Sequence, residues 1–140
     1  WCSVMAVQLC HSSLHDSTGK PSSGSCKRTN ILRPLERALS EMQEFHEMID
    51  QMLSTTPLMT AGHCVGDIFL AHTLFDIDKP QISTVVHLAM KLADVADTKN
   101  ALCRIGIATG LVMGGTFGSG GRESFQIFGE PVMRALQYAH

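Results

Sequence analysis

The feature that most constrains this chain is a change of apolar period that occurs twice. Ser3 to Leu9 (SVMAVQL) is short, apolar and rich in β-branched residues, which predicts a buried strand. From Pro34 onward Leu35, Leu39, Met42, Phe45, Ile49 and Met52 recur every three to four residues. That spacing lines one face of a helix, with Glu36, Arg37, Glu41, Glu44, Glu47 and Asp50 on the other. Pro34 suits a first helical turn. The methionines 42, 48 and 52 read as core packing.

Two apolar stretches follow, Leu58 to Val65 and Ile68 to Leu74, separated by Gly66–Asp67, which predicts a tight hairpin. Asp78 then starts a second helix, with Pro80 in its first turn and Gln81 completing a capping box. Its apolar face is Ile82, Val85, Val86, Ala89, Leu92, Ala93 and Ala96. Leu102 to Thr109 alternates Cys103, Ile105 and Ile107 with Arg104, Gly106 and Ala108, so it predicts a further strand. Leu111 to Thr116, a glycine-rich turn from Phe117 to Gly121, and Phe125 to Phe128 form a hairpin. Glu130–Pro131 opens a last helix with Val132, Ala135, Leu136 and Ala139 inward. The order is that of an α+β, ferredoxin-like βαββαβ sheet with helices on one face, extended by a β-hairpin arm. The second sheet face is expected to be partly free.

The 140 residues suit a single domain, residues 1–140. Residues 11–30 hold almost no apolar side chain and read as a long loop, with a low-complexity insertion at about 15–30. The chain begins with Trp1 and is expected to be part of something longer. A formal charge of −2 argues against coating nucleic acid by bulk charge. No apolar run reaches the ~20 residues needed to span a bilayer. The five cysteines are odd in number and widely spaced, without a C-x-x-C pair, and the seven histidines are scattered. These patterns suit reduced thiols in an intracellular protein, or in the cytoplasmic part of a larger membrane protein, rather than disulfides or zinc. Charged residues are 17% of the chain, below the ~25% norm, which suits a surface meant for a partner.

Two places can carry chemistry. Asp67, at a hairpin tip, either holds a hard cation such as Mg²⁺ or simply serves the turn. The loop from Gly114 to Gly121 either cradles an anion with its backbone N–H groups or is a plain hairpin turn.

Arg104–Ile105–Gly106–Ile107–Ala108–Thr109–Gly110–Leu111–Val112–Met113–Gly114–Gly115 resembles the R-I-G-I-x-T-G-x-V-x-x-G segment of class III adenylyl and guanylyl cyclases. Phe117–Gly118, Arg122 and Phe125–Gln126–Ile127–Phe128–Gly129–Glu130–Pro131–Val132 resemble the V-G-x-x-x-R-x-x-Y-D-I-W-G-D-T-V that follows it. Val65–Gly66–Asp67–Ile68–Phe69–Leu70–Ala71 resembles I-G-D-A-Y-M-A, and Ser3 to Leu14 resembles the first strand and its turn. The resemblance implies the ferredoxin-like fold and a site formed between two such domains. It also implies ring closure of ATP or GTP by attack of the ribose 3′-hydroxyl on the α-phosphate. Two metal ions, Mg or Mn, on two aspartates would assist that step.

Asp67 matches the second metal aspartate, whereas Cys10 falls near the first, and a thiol is a poor ligand for Mg²⁺. His63 and Gln126 take the two purine-reading positions and can still hydrogen-bond a base. Met133 and Gln137 occupy the positions of the family's Asn and Arg, the transition-state pair; neither carries the Arg charge. Arg134 is turned about 100° from Met133. Losing such a stabiliser costs ~10²-fold or more in rate. The family also continues with further strands past the position of His140. The expected role is a degenerate cyclase half, a pseudoenzyme, that pairs with itself or with another cyclase domain and regulates it. The alternatives are an active half completed by a partner domain, and an interaction module without a nucleotide site.

Overall fold

In the computed structural model the described residues are 1–10, 29–62, 64, 67–75, 81–99 and 101–140, with 29–35 described as backbone. The elements are β1 (Cys2–Cys10), α1 (Thr29–Ser54), β2 (Met59–Ala61), β3 (Ile68–Thr73), α2 (Ile82–Thr98), β4 (Leu102–Gly110), β5 (Met113–Phe117), β6 (Ser124–Phe128) and α3 (Glu130–Ala139). β1 to β4 form one antiparallel sheet in the order β2-β3-β1-β4, which is the ferredoxin-like arrangement. β5 and β6 form a separate two-stranded arm.

Period two sorts the side chains of β1 onto two faces. Met5, Val7 and Leu9 pack with Phe45, Ile49 and Leu53 of α1 and with Val85, Leu88 and Leu92 of α2. Cys2, Val4 and Ala6 pack on the other side with Leu70, Ile127 and the α3 residues Val132, Ala135 and Ala139. Removing a Leu-sized side chain from water contributes ~1.5–3 kcal/mol, so β1, buried on both sides, anchors both layers. The two helices of the βαββαβ unit share one face, as expected. The other face, expected to be partly free, is closed by α3 and Ile127, because Gly106 lets α3 lie directly on β4. A Cβ at Gly106 would stand 2.0 Å from the Ala135 carbonyl oxygen and 2.7 Å from the Ala139 nitrogen.

Several boundaries differ from the sequence reading. α1 starts at Thr29, so Pro34 lies past its first turn, where it forgoes one helical hydrogen bond. The loop expected up to residue 30 therefore ends earlier, and its residues 11–28 lie outside the described set. Ala38, not Leu39, continues the inward line of Phe45, Ile49 and Leu53, and Leu39 is 55% exposed. In α2 the inward line is Val85, Leu88, Ala89, Leu92 and Ala96, while Ile82, Val86 and Ala93 face outward. Residues 86 and 93 follow buried neighbours by one step, a turn of about 100° away from the sheet. Gln81 is the N-cap of α2 without a side-chain cap bond, and the rest of the expected capping box, Asp78 and Pro80, lies outside the described residues. β2 is shorter than expected, and a last bond from Gly62 N–H to the Leu70 carbonyl closes it. The connection to β3 then runs through Asp67 and is longer than a two-residue turn.

Gly106→Val should place a branched side chain inside the α3 backbone. We expect a loss of about 3 kcal/mol or more, since overpacking alone typically costs 1–3 kcal/mol and here the obstacle is main chain. A lowered urea midpoint would show it, and an unchanged midpoint would contradict the packing described.

Candidate functional site

Asp67 stands in the turn that enters β3, exposed to solvent. Register places Gln8 of β1 opposite Ile68, so the end of β1 and the start of β3 lie at one end of the sheet. There the Gln8 Nε2 donates to Asp67 Oδ2 at 2.9 Å. The sequence reading missed Gln8. The available signal was period two, which sets Gln8 on the same face of β1 as Cys10. Cys10 itself lies opposite Leu102 and is half-buried.

Burial pushes Cys103 above its ordinary value, and the neighbouring Cys10 adds to the shift. Cys64, near the same turn, is raised by desolvation and then by the charge of Asp50; its Sγ lies 3.8 Å from Nδ1 of His46.

α3 carries the second group. Its Val132, Ala135 and Ala139 are buried on β4 and β1, and this places Met133 and Gln137, one turn apart, in solvent. Met133 is 59% exposed. Arg134 forms an i, i+4 ion pair with Glu130 at 2.6 Å. The third group is the arm. Gln126 of β6 faces Gly115 across the hairpin, and its Nε2 donates to Ser124 Oγ at 3.2 Å. His63 lies outside the described residues. Gly118, at φ +110°, sits where a Cβ would meet the Arg122 carbonyl at 2.3 Å, so the glycine-rich loop is a closed hairpin turn.

A two-ion site needs several oxygen ligands around each ion. Among the described residues no three His, Cys, Asp or Glu side chains converge as metal ligands. The one carboxylate at the expected place already accepts an amide proton from Gln8, and the position matched to the first aspartate holds the thiol of Cys10. These described residues do not fit a pair of Mg²⁺ ions.

No family model and no curated protein matches the sequence. Solved structures do match the fold. A bacterial light-regulated adenylyl cyclase superposes with a TM-score of 0.70 at 11% identity, covering 99% of this chain and 68% of its own. The dimeric guanylyl cyclase domain of the RhoGC fusion protein from the aquatic fungus Blastocladiella emersonii gives 0.73 at 12%, covering 99% and 72%. The guanylate cyclase domain of RhGC from Catenaria anguillulae, in complex with GTP, gives 0.59 at 15%, covering 99% and 71%. The fold of this chain is therefore that of adenylyl and guanylyl cyclase catalytic domains. No helix among the described residues is long and apolar enough to cross a membrane.

Thiolate is the reactive form of cysteine, so raised values slow alkylation. At pH 7.5 Cys64 and Cys103 should react with iodoacetamide more slowly than free cysteine. Their rates should climb as pH rises past the ordinary value of 9.0. Peptide mapping of a time course reads this directly, and rapid labelling at neutral pH would contradict it.

Proposed function

We propose that this chain is a cyclase-fold domain that serves as a pairing or regulatory half rather than as a catalytic centre. The observation that carries this reading is the outward side of α3. Where the resemblance places an Asn and an Arg for the ribose and the transition state, α3 presents Met133 and Gln137, and the nearby Arg134 is committed to Glu130. Catalysis by such a pair depends on charge aimed at the developing negative charge, and a thioether and a neutral amide supply none.

The surface that fits a partner is the arm. Leu111, Met113, Phe117 and Phe128 are exposed on the arm, with Met113 at 75%. Phe117 and Phe128 meet edge to face at 5.3 Å. A patch of this kind on a small domain fits a protein interface. The dimeric state of the similar fungal domain is in keeping with such use. The partner would be a second copy or a more complete cyclase domain.

Similar structures hold GTP or an ATP analogue. A purine nucleotide, ATP or GTP, is thus the ligand class that a paired interface would take, with Gln126 and His63 at the positions that the resemblance assigns to the base. The exposed carboxylate of Asp67 favours a second reading, in which this chain lends one metal ligand to a site whose other residues come from the partner.

The isolated domain should make no cyclic AMP or cyclic GMP with Mg²⁺ or Mn²⁺. Turnover abolished by Asp67→Ala would overturn the proposal in favour of the active-half reading. Replacing Met113 and Phe117 by Asp should weaken association in sedimentation at micromolar concentration while helical content stays constant. A soluble monomer that retains no cyclase domain in a pull-down would refute pairing.

One carboxylate with waters completing the shell binds a divalent ion only loosely. Titrated Mn²⁺ should broaden NMR signals around Gln8 and Asp67, and Asp67→Asn should abolish the effect. Broadening that centres elsewhere would remove Asp67 from the site.

A further inference from the structure

We propose that Cys64 and His46 form a site for a thiophilic divalent ion, zinc, where α1 meets the connection from β2 to β3. His46 lies on α1, and Cys64 lies in the connection that follows Ala61. The scatter of cysteines and histidines along the chain argues against zinc, yet the fold brings these two together across 18 residues. Cys64 Sγ stands 3.8 Å from His46 Nδ1.

That separation fits a shared ion. Zinc holds a thiolate sulfur at ~2.3 Å and an imidazole nitrogen at ~2.0–2.1 Å in tetrahedral geometry. Two such ligands stand about 3.6 Å apart, so the pair is within ~0.2 Å of the spacing required. A thiol is a weak hydrogen-bond donor, so the direct contact between the two groups is easily exchanged for bonds to an ion.

The imidazole is held in orientation. Its ring meets Phe69 of β3 edge to face, with centroids 5.5 Å apart and planes at 64°. Phe69 is buried in the core between the sheet and the helices, so a rigid strand sets the ring. His46 is half-buried and Cys64 is exposed, which gives an ion access to the pair from solvent.

The local charge favours a cation. Burial raises Cys64, and the charge of Asp50, one turn after His46 on α1, adds to the effect. A bound divalent ion displaces the thiol proton to water and holds the thiolate. The Asp50 charge that opposes a bare thiolate attracts the ion. Thiolate and imidazole select zinc, whereas magnesium takes oxygen ligands, so this site is separate in kind from the carboxylate of Asp67. The described residues give two ligands and no third His, Cys, Asp or Glu that converges with them. Water takes the positions that the chain leaves open. A bound ion would clamp α1 to the connection that leads into Asp67 and β3.

Cobalt(II), which accepts the same tetrahedral ligands and absorbs through thiolate charge transfer, is the probe. Titrated into the whole chain with its thiols reduced, it should give the near-ultraviolet thiolate band, and zinc should bleach that band. Cys64→Ser should remove it. His46→Gln should weaken binding about tenfold or more, since loss of a partner outside the ligand shell already costs ~10–100-fold. Asp67→Asn should leave the band unchanged. A missing band, a band that survives Cys64→Ser, full affinity in His46→Gln, or loss of the band in Asp67→Asn overturns the site. If the variants fail to fold, alkylation of the unaltered chain at mildly alkaline pH decides. Zinc should slow iodoacetamide labelling of Cys64 about tenfold or more, because a bound thiolate is not free to react, while Cys103 keeps its rate. Equal labelling of Cys64 with and without zinc, or equal slowing of both cysteines, overturns the proposal.

Discussion

Every layer of this molecule depends on β1. It is hydrogen-bonded to β3 on one side and β4 on the other, and is apolar toward both faces. Its odd residues hold α1 and α2, and its even residues hold α3. At its start the Ser3 hydroxyl meets the Thr109 hydroxyl at 2.9 Å, and the Ser3 backbone N–H donates to Thr73 Oγ1 at 3.0 Å, so this one residue ties β1 to both β4 and β3. Toward its far end the strand delivers Gln8 to Asp67. The candidate site is thus an edge of the core rather than an appendage to it.

The contact of α3 with β4 decides what that helix can offer. Ala135 and Gly106 bring two backbones together, and this close approach fixes the rotation of the helix about its axis. With Val132, Ala135 and Ala139 inward, residues 133 and 137 have to face out. Residues 133 and 137 therefore lie one turn apart on the outward side of the helix, and the side chains delivered there are Met and Gln. Likeness of fold to cyclase domains does not by itself carry an activity, which depends on the side chains placed on that fold.

The order of elements was legible because periods of 2 and 3.6 alternate cleanly along the chain. The strand alternation of Cys103, Ile105 and Ile107 with Gly106 and Ala108 is reproduced in the two cores. Less legible was which of two adjacent apolar residues faces inward. Leu39 is larger than Ala38, yet helix phase selects Ala38, and phase is set by the packing of the whole helix. Closure of the second sheet face was also hidden, because it depends on the missing side chain of Gly106. At the candidate site Asp67 was visible as a turn residue, but its partner Gln8 is distant in sequence and meets it only through the register of β1 with β3. His72 reads as one histidine among seven, and only the fold shows that it is enclosed.

The pairing of β1 also bears on how the chain reaches this state. Cys2 lies opposite Gly110, and Val4 lies opposite His72, so the central strand finds its partners late in the sequence. Contacts between residues so far apart close large loops before they gain any stability, which slows folding. During synthesis β1 emerges before either neighbour. A strand apolar on both sides, with both edges unpaired, is the segment of this chain most exposed to misassociation. The same double burial that anchors the finished sheet makes its first strand dependent on protection until β4 has left the ribosome.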